Sequence, residues 1–252
     1  MKFQIVLFFQ LIASIATAQM TSQILLKKTM QHHDPQGNWA RFHQSIHFRI
    51  SIPNQADTFS IVELDNRRRY FKYIAYDGKR RVEKGFNDQT YFATIDGKTT
   101  KSADEIKRFR MNREKVSELR DFFTYLLGMP MRLTDNGAQL SPKIRRETFN
   151  GVDCWVLRVD YTPSVGEESW LYYIDQKNFA MRGCRFMRNG NPKNGAYMVF
   201  KGQTVVQNIN LPTTRHWYWN EDDHFLASEI MESARNLNEV LVSQQGDPLS
   251  KK

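Results

Sequence analysis

Between Arg41 and Ile50 the chain alternates: Phe42, Ile46, Phe48 and Ile50 are apolar, while Arg41, His43, Ser45, His47 and Arg49 are polar. A period of two marks a β-strand buried on one side, because successive side chains point to opposite faces. The same reading picks out TFSIVELD, RRYFKYIAY, RRVEKGF and QTYFATI, with Asp77-Gly78 and Asp96-Gly97 as turns. Further on it picks out KIRRETFN, DCWVLRVDYT, SWLYYID, FAMRGCRFM, AYMVFKGQTVV, TTRHWYWN and HFLASEIME. Two segments run at helical spacing instead. Ser22 to His33 is a short helix capped by Thr21 or Ser22 and stopped at Asp34-Pro35, since proline disfavours helical backbone in the residue before it. Ser102 to Leu127 opens on the capping box Ser102-Ala-Asp-Glu105 and repeats Ile106, Phe109, Val116, Leu119, Phe123 and Leu126. It allows a break near Asn112 and stops at Gly128 and Pro130. Two blocks of antiparallel strands around one helical insert predict a single α+β domain, a large curved sheet of about eleven strands with helices against one face.

The pattern also gives a register. Pairing Tyr161 with Glu168 sets Trp155 opposite Ile174, Leu157 opposite Tyr172 and Val159 opposite Trp170, all on one face. The other face of these two strands, with Asp153, Cys154, Val156, Arg158, Asp160, Leu171, Tyr173 and in part Asp175, reads as the more polar one. Trp217 and Trp219 add large rings on a later strand. One layer of helix cannot cover so wide a face, so part of it is expected to remain as an aromatic-lined cavity, the build of an apolar-ligand pocket. In the helical insert, Phe122, Phe123, Tyr125, Leu126, Leu127, Met129 and Met131 are too many apolar residues for one stripe about 100° wide. The insert is therefore expected to act as a movable lid hinged at Gly128. The candidate ligand-binding residues are Phe123, Leu126, Leu127, Met129, Trp155, Leu157, Trp170, Tyr172 and Trp217.

The N-terminus changes where this domain is expected to work. Lys2, the apolar run Phe3 to Ile15 and the small-x-small site Ala16-Thr17-Ala18 read as a signal peptide over residues 1–18. The run is shorter than the roughly 20 residues of a membrane span, and no cysteine stands at the cleavage point to take a lipid anchor. The expectation is a periplasmic or extracellular protein, with the domain over 19–233 and a polar tail over 234–252. The net charge of +9 falls to +8 once Lys2 is removed. That charge suits an anionic membrane surface, but the basic residues are scattered, the densest run being Arg67-Arg68-Arg69, and export leaves little room for a nucleic-acid partner.

Candidate chemistry is sparse. Four of the six histidines fall within residues 31–48. His43 and His47 share a strand face but lie about 13 Å apart, too far for one metal ion. His32 and His33, adjacent on a helix, diverge by about 100°. His216 and His224 flank Glu221-Asp222-Asp223, a weak surface metal site at best, so neither metal nor cofactor is expected. Cys154 and Cys184 fall on strands separated by a third, at least about 9.6 Å apart, which forbids a bridge. G-x-S-x-G, Walker and G-x-G-x-x-G motifs are missing, and a binding protein is expected rather than an enzyme. A hydrolase would need His33 or His216 in the cavity beside a carboxylate.

The N-terminal helix ending in HDPQGNW, the long meander, the insert ending YLLGMPMRL and the late strands YYIDQKNFAM and INLPTTRHWY resemble an uncharacterised secreted family of Bacteroidetes-type bacteria. That family is similar in build to the LolA/LolB/LppX-like lipoprotein carriers. The resemblance implies an open, incomplete β-barrel with helices in its mouth and an apolar cavity for acyl chains. It further implies a carrier or sensor of a lipid or an acylated protein; a hydrolase in the same cavity and a structural partner of an envelope complex are the alternatives. The carriers' functional arginine matches Arg41, Arg49 and Arg69 equally, so none is carried over. Oligomeric state is not legible.

Overall fold

The computed structural model describes residues 19–239 except positions 100 and 167. The leader expected over 1–18 and the end of the tail lie outside the described residues. Helix α1 (Ser22–His33) begins where Thr21 accepts a hydrogen bond from the Ile24 N–H and ends at Asp34. The carboxylate of Asp34 then accepts from the backbone N–H groups of Asn38 and Trp39, which folds the turn toward the first strand.

That strand opens a five-stranded meander: β1 (His43–Ser51), β2 (Thr58–Asp65), β3 (Tyr70–Asp77), β4 (Arg80–Asn87) and β5 (Thr90–Ile95). Short α2 (Ala103–Arg108), with the expected capping box in place, and α3 (Arg113–Gly128) follow. The chain then returns to strands: β6 (Ala138–Leu140), β7 (Arg145–Phe149), β8 (Val152–Tyr161), β9 (Ser169–Asp175), β10 (Met181–Arg188) and β11 (Asn191–Lys201). A two-stranded ribbon, β12 (Thr204–Val206) and β13 (Ile209–Leu211), precedes β14 (Thr214–Trp219) and β15 (Phe225–Asn236).

The described strands other than the ribbon form one antiparallel sheet of 13, in the order β5-β4-β3-β2-β1-β15-β14-β11-β10-β9-β8-β6, with β7 also on β8. It is open rather than closed into a barrel. The join of β1 to β15 unites the two strand blocks: Ile46 pairs with Ala234 and Gln44 with Asn236. The twelve strand segments read from the sequence are all present in this sheet, and the thirteenth is β6, whose three residues are too short to show a period. AYMVFKGQTVV divides at Gly202, whose φ is +66°, and its second half enters the ribbon as β12. β15 also runs past the expected domain end at 233. Ser233, Ala234, Arg235 and Asn236 are held by backbone pairing with β1, which side-chain hydropathy does not report. Leu237, directly after Asn236, is also buried.

Both long helices lie on the concave face. Two apolar clusters fill the space beneath them. In one, Leu25 and Leu26 of α1 meet Leu157, Val159, Tyr172, Ile174, Cys184 and Met198. In the other, Phe123 and Leu127 of α3 meet Phe42, Ile46, Phe48, Val62 and Phe71. Helix α3 straddles the two clusters, which is how it accommodates more apolar residues than one stripe holds. Gly128 ends it in tight contact: a Cβ there would lie 2.6 Å from the Trp39 ring and 2.4 Å from the Arg132 side chain.

Candidate functional site

The register expected for β8 and β9 is the observed one: Trp155 pairs with Ile174, Leu157 with Tyr172 and Val159 with Trp170. Cys184 of β10 sits beside Tyr172, so the concave face continues through Phe186, Met198 and Trp217 on β10, β11 and β14. Where α3 stops short of this row, a cavity of about 680 Å³ opens. Phe122, Tyr125, Leu126 and Met129 form its helical wall, and Trp170, Phe186, Met198 and Trp217 form its floor. Phe122 is 42 % exposed although it stacks on Trp217, ring centroids 6.0 Å apart. Trp170 stacks parallel on Tyr172 at 6.1 Å and meets Phe186 at 5.2 Å. The rings that build the floor thus hold one another, so the floor is set before any ligand arrives.

The rim is polar. Glu118, Asp121, Arg132, Glu168 and Arg188 surround the opening, with Arg188 paired to Glu168 at 3.6 Å. Inside, the hydroxyls of Tyr125, Tyr161 and Tyr172 converge on one another. Burial pushes the phenols of Tyr125 and Tyr172 well above their ordinary range, so the group stays protonated and offers a hydrogen-bonding point in an apolar space.

Of the nine residues singled out from the sequence, Leu126, Met129, Trp170 and Trp217 line this cavity. Leu157 and Tyr172 are fully buried behind it. Trp155 packs at the edge of the same cluster under the Arg146 guanidinium. Phe123 and Leu127 do not reach the cavity. They belong to the neighbouring cluster, Phe123 stacking on Phe48, Phe71 and Tyr73. The physical reason is the helical period: positions 123 and 127 lie about 100° from 122 and 126. Phe186 and Met198 were missed because a strand pattern tells which face a residue occupies and not which strands become neighbours.

His33 and His216, either of which a hydrolase would need, make packing contacts, while His43 pairs with Asp65 at 3.0 Å on the convex face. His33 donates from Nδ1 to the Asn210 carbonyl at 2.6 Å and accepts at Nε2 from the Met181 N–H at 3.0 Å, tying α1 to β13 and β10. His216 bonds Ser228 Oγ from the convex face. Neither has a carboxylate partner, the condition that a hydrolase reading set for them. Among the described residues, no group of three or more His, Cys, Asp and Glu is placed to hold a metal ion. Cys154 and Cys184 are free, on strands separated by β9 and on opposite faces. Arg41 and Arg49 bond Asn38, Asp57 and Glu232. Arg69 pairs with Asp88 at a polar cavity bounded by another side of α3, so none of these three lines the apolar cavity.

Similar folds are known. A domain described as an outer membrane lipoprotein-sorting protein domain, from Vibrio parahaemolyticus, superposes with a TM-score of 0.51 at 10 % identity, over 92 % of this chain and 100 % of that one. A LolA superfamily protein from Nitrosomonas europaea gives 0.49 at 12 % identity, over 86 % and 94 %. A DUF1329 family protein from Desulfovibrio piger gives 0.49 at 8 %, over 85 % and 92 %. The LolA-like open sheet expected from the sequence is thus the observed architecture, shared with the Vibrio domain. No curated protein matches. Residues 2–232 match the model of a family of unknown function, DUF6503, and the chain belongs to that family.

Proposed function

We propose that this protein is an exported, non-catalytic carrier or sensor of an amphiphile, either a lipid or an acylated protein, working in the periplasm or outside the cell. The observation that carries the reading is the cavity itself. A volume of about 680 Å³ is in the range that holds an acyl chain, its floor is aromatic and thioether, and one wall is a helix followed directly by Met129. The polar rim, with Arg132 and Arg188, would meet a headgroup, and the basic exterior would meet an anionic membrane. The fold shared with a lipoprotein-sorting domain supports the same assignment, as does the leader for location. In this reading α3 is a lid whose cavity side is Phe122, Tyr125, Leu126 and Met129.

Native mass spectrometry of gently purified protein is expected to show a bound amphiphile. Delipidated protein is expected to take up a fluorescent fatty acid. Phe122→Ala and Trp170→Ala should each weaken that uptake about tenfold, since each removes a large ring from the chain's path. His43→Gln, on the opposite face, should leave it unchanged. Protein that neither carries nor takes up any amphiphile, or folded variants that bind like the parent, would overturn the assignment.

A further inference from the structure

The convex face of the same sheet departs from what its pattern promised. On β8 and β9 this face reads from the sequence as the more polar of the two, yet Val156, Leu171 and Tyr173 on it are almost completely buried. Phe149, at the end of β7, folds across this face and stacks on Tyr173 at 3.9 Å, in space that Gly183 leaves by having no Cβ. Beside this packed ring lies a second cavity, of about 760 Å³, walled by β7 and residues 141–144 on one side and by the β10–β11 turn on the other. Its floor is Val156, Leu171 and Tyr173, with Met187 at the edge. It does not communicate with the concave cavity, because the sheet separates them.

The charges around it are one-sided. Lys143, Arg145, Arg158 and Arg185 line the cavity against a single carboxylate, Glu147. Arg145 is held by that carboxylate at 3.2 Å and Arg158 by Asp160 at 3.0 Å. Arg185 has no ion-pair partner among the described residues. Its guanidinium lies over the Tyr197 ring, 4.7 Å from the centroid, and its Nε is buried with no acceptor. The guanidinium also hydrogen-bonds the Tyr173 hydroxyl, but no carboxylate among the described residues holds it, and a buried N–H without an acceptor such as its Nε is uncommon enough to need one. The planar fork of a guanidinium matches an oxyanion of phosphate or carboxylate type.

We infer that this convex-face cavity is a second binding site, for a small organic oxyanion with an apolar body, the anion held at Arg185 with Lys143 near by and the body laid on Leu171, Val156 and Tyr173. Two features favour a small ligand over a protein partner: walls on two sides, and a volume within the few hundred to about 1,000 Å³ typical of small-molecule sites. The site stands independently of the amphiphile carried on the concave face. The same chemistry could come from a dissolved anion or from the phosphate of a membrane lipid, and the test separates the two.

Octyl phosphate, titrated below its micellar concentration into the intact protein in a calorimeter, is the probe. Binding is expected to be at least tenfold tighter than for octanol or for inorganic phosphate, each of which has half of the required chemistry. Arg185→Gln should weaken octyl phosphate at least tenfold, the loss of one charge-assisted hydrogen bond, and Leu171→Ser should weaken it as well. Trp170→Ala, which alters the concave cavity, should leave the Arg185-dependent part of the binding unchanged, whatever it removes from amphiphile uptake on the concave face. Arg185 is half-buried, and a circular-dichroism melt matching the parent shows that its variant is folded. Sensitivity to Trp170→Ala without sensitivity to Arg185→Gln would place the only binding on the concave face and overturn the inference, as would no binding at all. Sedimentation with phosphatidylglycerol vesicles is the second arm. Arg185-dependent sedimentation that octyl phosphate displaces identifies the lipid phosphate as the source and supports the site. Arg185-dependent sedimentation that octyl phosphate cannot displace means a membrane-contact surface rather than a ligand cavity, and overturns it.

Discussion

Replacing Glu229 by leucine should destabilise the fold by about 3–5 kcal/mol, while replacing Glu229 and Arg215 together should cost little or nothing. The two residues face each other across β14 and β15 on the concave side. Arg215 is fully buried and Glu229 nearly so. One hydrogen bond joins them, from Nη1 to Oε1 at 3.0 Å, leaving Nε and Nη2 of Arg215 without acceptors. Burial lowers the guanidinium's affinity for its proton and raises that of the carboxyl, so each keeps its charge through the other. The pair is a single contact with two unmet donors and not a fork, and its net stabilisation is accordingly small. Removing the carboxylate alone strands a cation beside Phe48 and Cys184 in a low-dielectric space. For a chain of this size, a loss of that order should lower the midpoint of thermal unfolding by roughly 10 °C. The double variant Arg215→Met with Glu229→Leu replaces the pair by apolar groups of similar volume, and its midpoint should return to within a few degrees of the parent. A single variant that melts like the parent would mean that the pair is hydrated in solution. A double variant as unstable as the single one would mean that the loss comes from packing and not from charge.

Much of the framework was legible because it rests on local chemistry. The ends of α1 follow from Thr21 and from Asp34-Pro35, and α2 from the Ser102–Glu105 capping box, each a matter of a few adjacent residues. The β8–β9 register followed from one turn and a strict period of two, and it placed Trp170 on the correct face. What the sequence did not show depends on which distant strands meet. No local pattern pairs β1 with β15, so the extension of β15 to Asn236 was missed. None sets Phe186 and Met198 beside Trp170 and Trp217, so half of the cavity floor was missed too. The convex face was misjudged for a related reason. Tyr173 and Leu171 look like the exposed half of an alternating strand, and only the fold of β7 and Phe149 over them shows that they are buried.

The histidine cluster that drew attention in the sequence leads to the last expected result, a loss of stability in mild acid. His33 uses both ring nitrogens: Nδ1–H donates to the Asn210 carbonyl, and Nε2 accepts from the Met181 N–H. Only the neutral ring with its proton on Nδ1 satisfies both, because a second proton on Nε2 would face the Met181 N–H. Burial therefore holds its pKa down to about 4, from about 6.5 in the unfolded chain. Between these values the unfolded state binds the proton and the folded state does not, so the contribution is complete above pH 6.5 and is lost as the pH falls toward 4. The loss is about 3 kcal/mol across that window, at 1.36 kcal/mol per unit. Urea unfolding at pH 7.5 and pH 4 should show it. Burial also lowers the proton affinity of His47 and His216 and raises that of Glu229, so the parent's pH dependence belongs to several groups. The contribution of His33 is isolated by comparison with His33→Gln, a neutral residue that cannot take up the proton. That variant should be less stable than the parent at pH 7.5, and its additional loss on going to pH 4 should be smaller by about 3 kcal/mol. If parent and variant lose the same amount, His33 is solvated enough to protonate in place, and its bridge between α1, β10 and β13 does not hold in solution.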